Sequence, residues 1–119
     1  MDVTIANQSG MLTGTTTASY VKVVTIDTRG CGIIGKTRFL LKNTGSSNSI
    51  YYKIDGYLSD PTASVGNAVA LKAETSIAAS GSVDESVTPV AVVLPWAAVV
   101  FSVKNNAGAS TYSLEWQSY

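Results

Sequence analysis

The segment Gly30-Cys31-Gly32-Ile33-Ile34-Gly35-Lys36-Thr37-Arg38-Phe39-Leu40-Leu41-Lys42-Asn43-Thr44-Gly45 decides how the chain is read. Residues 30–37 match the phosphate-binding pattern G-x-x-x-x-G-K-[ST] letter for letter, and Gly30, Gly32 and Gly35 also match G-x-G-x-x-G. Either pattern needs a helix after the glycines, with its N-terminus facing a phosphate. Here the motif runs into Arg38-Phe39-Leu40-Leu41-Lys42 and stops at Asn43-Thr44-Gly45. That run is too short for the helix and is rich in strand formers. No repeating β-α units surround it. The glycines therefore read as a wide turn between two strands, and no nucleotide or cofactor is assigned to them.

Working outward, the period of two recurs. Tyr20–Asp27, Thr37–Lys42, Ser49–Leu58, Ser82–Leu94, Ala97–Lys104 and Ser110–Trp116 concentrate β-branched and aromatic residues. In the last of these, Tyr112, Leu114 and Trp116 share one face. Residues 68–79 are alanine-rich, but Val69, Leu71 and Ala73 alternate, which predicts a strand ending near Ile77. Asn43–Asn48, Asp60-Pro61 and Asn105-Asn106-Ala107-Gly108 are turn signals, the last read as a hairpin connection. The expectation is an all-β chain: a single antiparallel β-sandwich of about seven or eight strands, immunoglobulin-like or jelly-roll-like. Residues 18–119 form the sandwich. Residues 1–17, polar and rich in Gly and Thr, read as an extended N-terminal arm that orders against a neighbouring subunit.

Composition narrows the function. The 119 residues carry eight basic and eight acidic side chains, a formal net charge of zero. Overall charge therefore gives no basis for binding nucleic acid or an anionic membrane. Charged residues are 13% of the chain, about half the usual share. The chain has no histidine, which removes the commonest general base and metal ligand. Cys31 is the single cysteine, so no internal disulfide forms; Arg29 and Lys36 flank it and would favour a thiolate. The carboxylates Asp27, Asp55, Asp60, Asp84, Glu85 and Glu115 are scattered, with no spacing that requires a paired acid and base or a calcium loop. No catalytic, cofactor or metal residue is assigned, and the chain is expected not to be an enzyme. The N-terminus has neither a basic region nor a long apolar run, and Val90–Phe101 is too short to span a bilayer and is broken by Pro95. Assembly in a cytoplasm is the corresponding expectation, and Asn7-Gln8-Ser9 is not read as a glycosylation site.

The aromatics Tyr51, Tyr52, Tyr57, Trp96, Tyr112, Trp116 and Tyr119 are candidates for a sugar- or base-stacking platform. Their simpler role is core and cross-strand packing. Adjacent Tyr51 and Tyr52 must face opposite sides of a strand, so one is core and the other exposed.

Between Phe39 and Val103, the strand ending in Asn43-Thr44-Gly45, the strand Ile50–Gly56 and the strand after Pro95-Trp96 form a recognisable rhythm. It resembles the Asn-Thr-Gly strand pattern of immunoglobulin-like modules and is similar to small β-sandwich structural proteins of tailed phages. The resemblance implies a non-enzymatic virion component, such as a capsid decoration, head or tail protein. Its partners would be further copies of itself or other virion proteins, and its place the virion. The alternative is an immunoglobulin-like adhesion or carbohydrate-binding module of a surface protein, with the aromatics as the sugar platform.

Overall fold

A computed structural model describes residues 4–5, 9–27, 37–57, 69–87 and 98–118. The turn at Asp60-Pro61, Cys31, Trp96, Tyr119 and the glycines of the 30–37 motif lie outside them. Nine strands are described: β1 (Thr4–Ile5), β2 (Ser9–Thr15), β3 (Val21–Asp27), β4 (Thr37–Asn43), β5 (Ile50–Tyr57), β6 (Val69–Ile77), β7 (Ser82–Val87), β8 (Ala98–Asn105) and β9 (Thr111–Ser118). The final residue of the phosphate-loop pattern, Thr37, opens strand β4, where a phosphate loop would open a helix. Residues 69–77 are a strand, as their alternation predicts.

The strands form a five-stranded sheet, order β1-β3-β8-β5-β6, and a four-stranded sheet, order β2-β9-β4-β7. All pairs are antiparallel except the two-residue β1–β3 contact. Each connection crosses from one sheet to the other, save that from β5 to β6. This order is the double Greek key of a jelly roll. An immunoglobulin sandwich would keep more consecutive pairs in one sheet, so the topology settles that choice. It also corrects one turn: Asn105–Gly108 does not close a hairpin, because β8 and β9 belong to different sheets. Within the expected arm, Ser9–Thr15 pairs with β9 of its own chain from Ser9↔Gln117 to Thr15↔Thr111. Leu12 there packs against the core.

The alternation seen in the sequence becomes the core. Phe39 and Leu41 of β4 and Tyr112, Leu114 and Trp116 of β9 face Ile50, Tyr52 and Ile54 of β5 and Val99, Phe101 and Val103 of β8. Phe101 lies between two rings, 4.8 Å from Phe39 and stacked at 5.6 Å on Tyr52. Burying each such side chain contributes about 1.5–3 kcal/mol. β8 is internal to its sheet, and Val99 through Val103 are all buried, which is why it reads as a near-continuous apolar run interrupted by Ser102.

One polar residue sits at the end of this core. Asn43 is 1% exposed. Its Nδ2 donates to the carbonyls of Asn48 (2.8 Å), Ala78 (3.2 Å) and, more distantly, Ile77 (3.4 Å). Its Oδ1 accepts from the Ser110 hydroxyl (2.7 Å) and the Gly45 amide (3.2 Å). Ser110 in turn exchanges bonds with Thr16, amide to hydroxyl at 2.9 Å and amide to carbonyl at 2.8 Å. Asn43 thus ties together the β4–β5, β6–β7 and β8–β9 loops, and through Ser110 the chain leaving β2. Replacing it leaves several buried groups unpaired at once. Asn43→Ala is expected to cost about 3 kcal/mol in chemical denaturation. Asn43→Asp is also expected to destabilise, since a carboxylate cannot donate to the carbonyls.

Candidate interaction surfaces

An exposed sheet edge is a template for pairing with another chain, and proteins guard edges with charge, bulges or shortness. Among the described residues, three of the four sheet edges are guarded. β1 is two residues long. β6 carries Lys72 and Glu74, and its register against β5 shifts twice. β7 carries Asp84 and Glu85: Arg38 grips Asp84 through Nε at 3.0 Å and Nη2 at 2.5 Å, while Glu85 accepts from Tyr52 Oη at 2.6 Å and pairs with Lys72 at 3.4 Å.

The fourth edge, β2, has the sequence Ser-Gly-Met-Leu-Thr-Gly-Thr. It holds no charge and no proline, and its register is unbroken over seven residues. Gly10 and Gly14 let its backbone lie directly on aromatic rings. A Cβ at Gly10 would stand 2.5 Å from Trp116 Cζ2, and one at Gly14 2.7 Å from the Tyr112 hydroxyl. Beside this edge the outer face of the four-stranded sheet dips into a depression of about 510 Å³ lined by Ser9, Met11, Arg38, Leu40, Glu115 and Gln117 with Gly10 and Trp116. Met11 is 60% exposed. It pairs with Glu115, which pairs in turn with Leu40, so two apolar side chains flank one carboxylate on an open face.

The outer face of the five-stranded sheet has a different character. Tyr51, Lys53, Asp55 and Tyr57 alternate outward on β5, with Lys104, Ser102 and Val100 beside them on β8. Tyr20, just before β3, donates to Glu74 Oε1 on β6 at 2.6 Å, linking the strands on either side of β8 and β5. Lys53 lies over the Tyr20 ring at 4.5 Å, Lys104 over Tyr20 and Tyr51 at 5.0 and 5.5 Å, and Lys22 over Tyr57 at 5.7 Å. Lys104 also pairs with Glu74, and Lys53 with Asp55, at 3.4 and 3.5 Å. On the same face Thr25, Val100 and Asp55 form one register row across three strands and are all buried. These rings meet cations of their own chain and bind into a network.

The sequence-level aromatics therefore divide. Tyr52, Tyr112 and Trp116 are core, and Tyr51 and Tyr57 are half-buried outside it. Tyr20 was not in that set; its acceptor lies 54 residues away, and no local spacing signals it. Among the carboxylates, Asp55, Asp84 and Glu85 are held by ion pairs, and Glu115 is exposed. Among the described residues no cluster of His, Cys, Asp and Glu suits a metal ion, and no helix is long and apolar enough to cross a membrane.

Burial and the hydrogen bonds to Glu74 and Glu85 raise the pKa values of the Tyr20 and Tyr52 phenols far above the ordinary 10.0. The bond to Tyr20 lowers that of Glu74, and the bond to Arg38 lowers that of Asp84. A raised folded-state pKa gives stability that is intact below the unfolded value and lost as pH climbs beyond it. Stability should therefore fall above about pH 10, and denaturant titrations of Tyr20→Phe and Tyr52→Phe should show a shallower alkaline decline than the parent. The lowered carboxylates act in the opposite sense, with stability lost as pH drops below about 4.

No family model matches the chain, and no curated protein sequence matches it. Its fold is shared with solved structures. PirA superposes with a TM-score of 0.63 at 10% identity, covering 90% of this chain and 93% of that one. A subunit of the disulfide-linked pili of Bacillus endospore appendages gives 0.56 at 14% identity, covering 94% and 84%. A protein of infectious bursal disease virus, Gx strain, gives 0.54 at 13% identity, with 91% of this chain matching 28% of the viral one. At such identities the likeness is one of fold: the chain is a β-sandwich of the kind that pilus and virus-particle proteins also use.

Proposed function

We propose that this protein is a non-enzymatic structural subunit that acts through protein–protein contacts, as a component of a virus particle built from further copies of itself or from other virion proteins. The observation that carries this reading is the unguarded β2 edge beside the exposed Met11. A monomer has reason to blunt such an edge, as the chain does at β6 and β7. The low charge supports the same reading, because closely packed copies then meet little repulsion. Two of the fold's neighbours, the spore-appendage pilus and the bursal disease virus particle, are assemblies, which is compatible with it. A phage particle in particular is suggested by the Asn43-Thr44-Gly45 rhythm alone.

A second reading, a carbohydrate-binding module, is favoured by the outward Tyr20, Tyr51 and Tyr57. Against it, Lys22, Lys53 and Lys104 already stand over those rings, so a sugar would have to displace them. The discriminating measurement is solution mass by light scattering across a wide concentration range. A defined oligomer or larger particles is the expected result. A monomer at every concentration would remove self-assembly and return attention to the tyrosine face.

A further inference from the structure

We propose that β2 pairs antiparallel with the β2 of a second copy, joining two four-stranded sheets into one eight-stranded sheet across a two-fold axis. The inference rests on the assembly reading above and identifies its seam.

Pairing a strand with itself sets equivalent residues near one another, and like charges placed opposite are destabilising. Only an uncharged strand escapes this in every register. β2 has no charged residue. β7 paired with itself would gather Asp84 and Glu85 from both copies. The two register shifts of β6 interrupt a straight ladder. β1, with two residues, offers too short a ladder. Among the described edges β2 alone is long, straight and neutral.

The side chains suit a second copy on both faces of the strand. Outward, Ser9, Met11, Thr13 and Thr15 are all exposed, and among the described residues no strand pairs with the outer edge of β2. Pairing would bring each Met11 close to its counterpart and cover apolar surface now open at 60% exposure. Inward, Leu12 is partly buried against the core, and the second strand would add to its shielding. The row Met11, Glu115, Leu40 would continue across the axis into the same row reversed. The shape of the seam is set by Gly10 and Gly14, which hold the edge strand flat on Trp116 and Tyr112.

The test uses the full chain. Thr13→Lys places a charge on the neutral edge while leaving an exposed side chain exposed, and Ala73→Lys places the same charge on exposed β6 as a control. Light scattering should show the parent and Ala73→Lys as dimers, and Thr13→Lys shifted toward monomer by at least about tenfold in dissociation constant, with far-ultraviolet dichroism unchanged. Single cysteines at Met11, Leu12 and Thr13 in a Cys31→Ser background, and Met11→Cys mixed with Thr13→Cys, each probe one register of the seam; those that the actual register opposes should form an inter-chain disulfide on oxidation, because opposed residues fall within disulfide reach. An oligomer that is untouched by Thr13→Lys and forms none of these disulfides would overturn the seam and leave the assembly reading standing. Open filaments without self-crosslinking would overturn it in favour of β2 pairing head-to-tail with β7. A parent protein that stays monomeric throughout would overturn both.

Discussion

The side chain of Asn43 is the point on which the loop end of the sandwich depends. In a jelly roll almost every connection passes from one sheet to the other, so the loops at each end must be held together by something other than hairpin pairing. Asn43 is buried at the end of β4 and offers donors and an acceptor in one rigid amide. Its donors hold carbonyls on both sides of β5 and β6, and its acceptor holds Ser110, which is itself locked to Thr16. Around this core of bonds, further contacts accumulate, including the Thr44 amide to the Thr111 carbonyl and the Asn48 amide nitrogen to the Ala109 carbonyl. The polar loop residues that make the chain poor in charge are thus what fastens the two sheets at this end.

The opposite demand, openness, is met at β2. The same aromatic residues that complete the core, Trp116 and Tyr112, require glycine across from them on the edge strand. Glycines, serine and threonines then leave that edge with neither bulk nor charge. Packing inside and pairing potential outside are therefore coupled through the pairs Gly10–Trp116 and Gly14–Tyr112. The far sheet shows the contrary solution. There lysines, tyrosines and carboxylates bind one another across β3, β8, β5 and β6, and the face is occupied by its own side chains. The two outer faces of one sandwich thus differ in kind, one bound into a network of its own side chains and one carrying an exposed Met11 beside an uncharged edge.

Much of the fold was legible because strand chemistry is local. The alternation of Tyr112, Leu114 and Trp116, the opposite facing of Tyr51 and Tyr52, and the strand character of residues 37–42 and 69–77 all follow from a two-residue period and β-branched composition. The same logic set aside the phosphate-loop pattern, since Arg38–Lys42 has no helical continuation. Asn105–Gly108 misled because its turn chemistry is real while its partner strands lie in different sheets; turn propensity fixes a bend and says nothing of what the bend connects. Within the 1–17 segment, residues 9–15 pair with β9. The segment's Gly and Thr content looks like that of an extended arm, and in residues 9–15 those small residues are needed to fit a strand against two rings.

The sequence by itself determined an all-β chain, a core of alternating apolar residues, and a surface without the histidines or charge excess that many catalytic or nucleic-acid roles draw on. Tertiary structure alone decided the jelly-roll order, the Asn43 hub, the Tyr20–Glu74 link and the contrast between the guarded and unguarded edges. The physical reason is range. Period and propensity act over a few residues, whereas Asn43 and Ser110 meet across 67 residues and Tyr20 and Glu74 across 54. Which strands end at an edge depends on how the whole chain is wound.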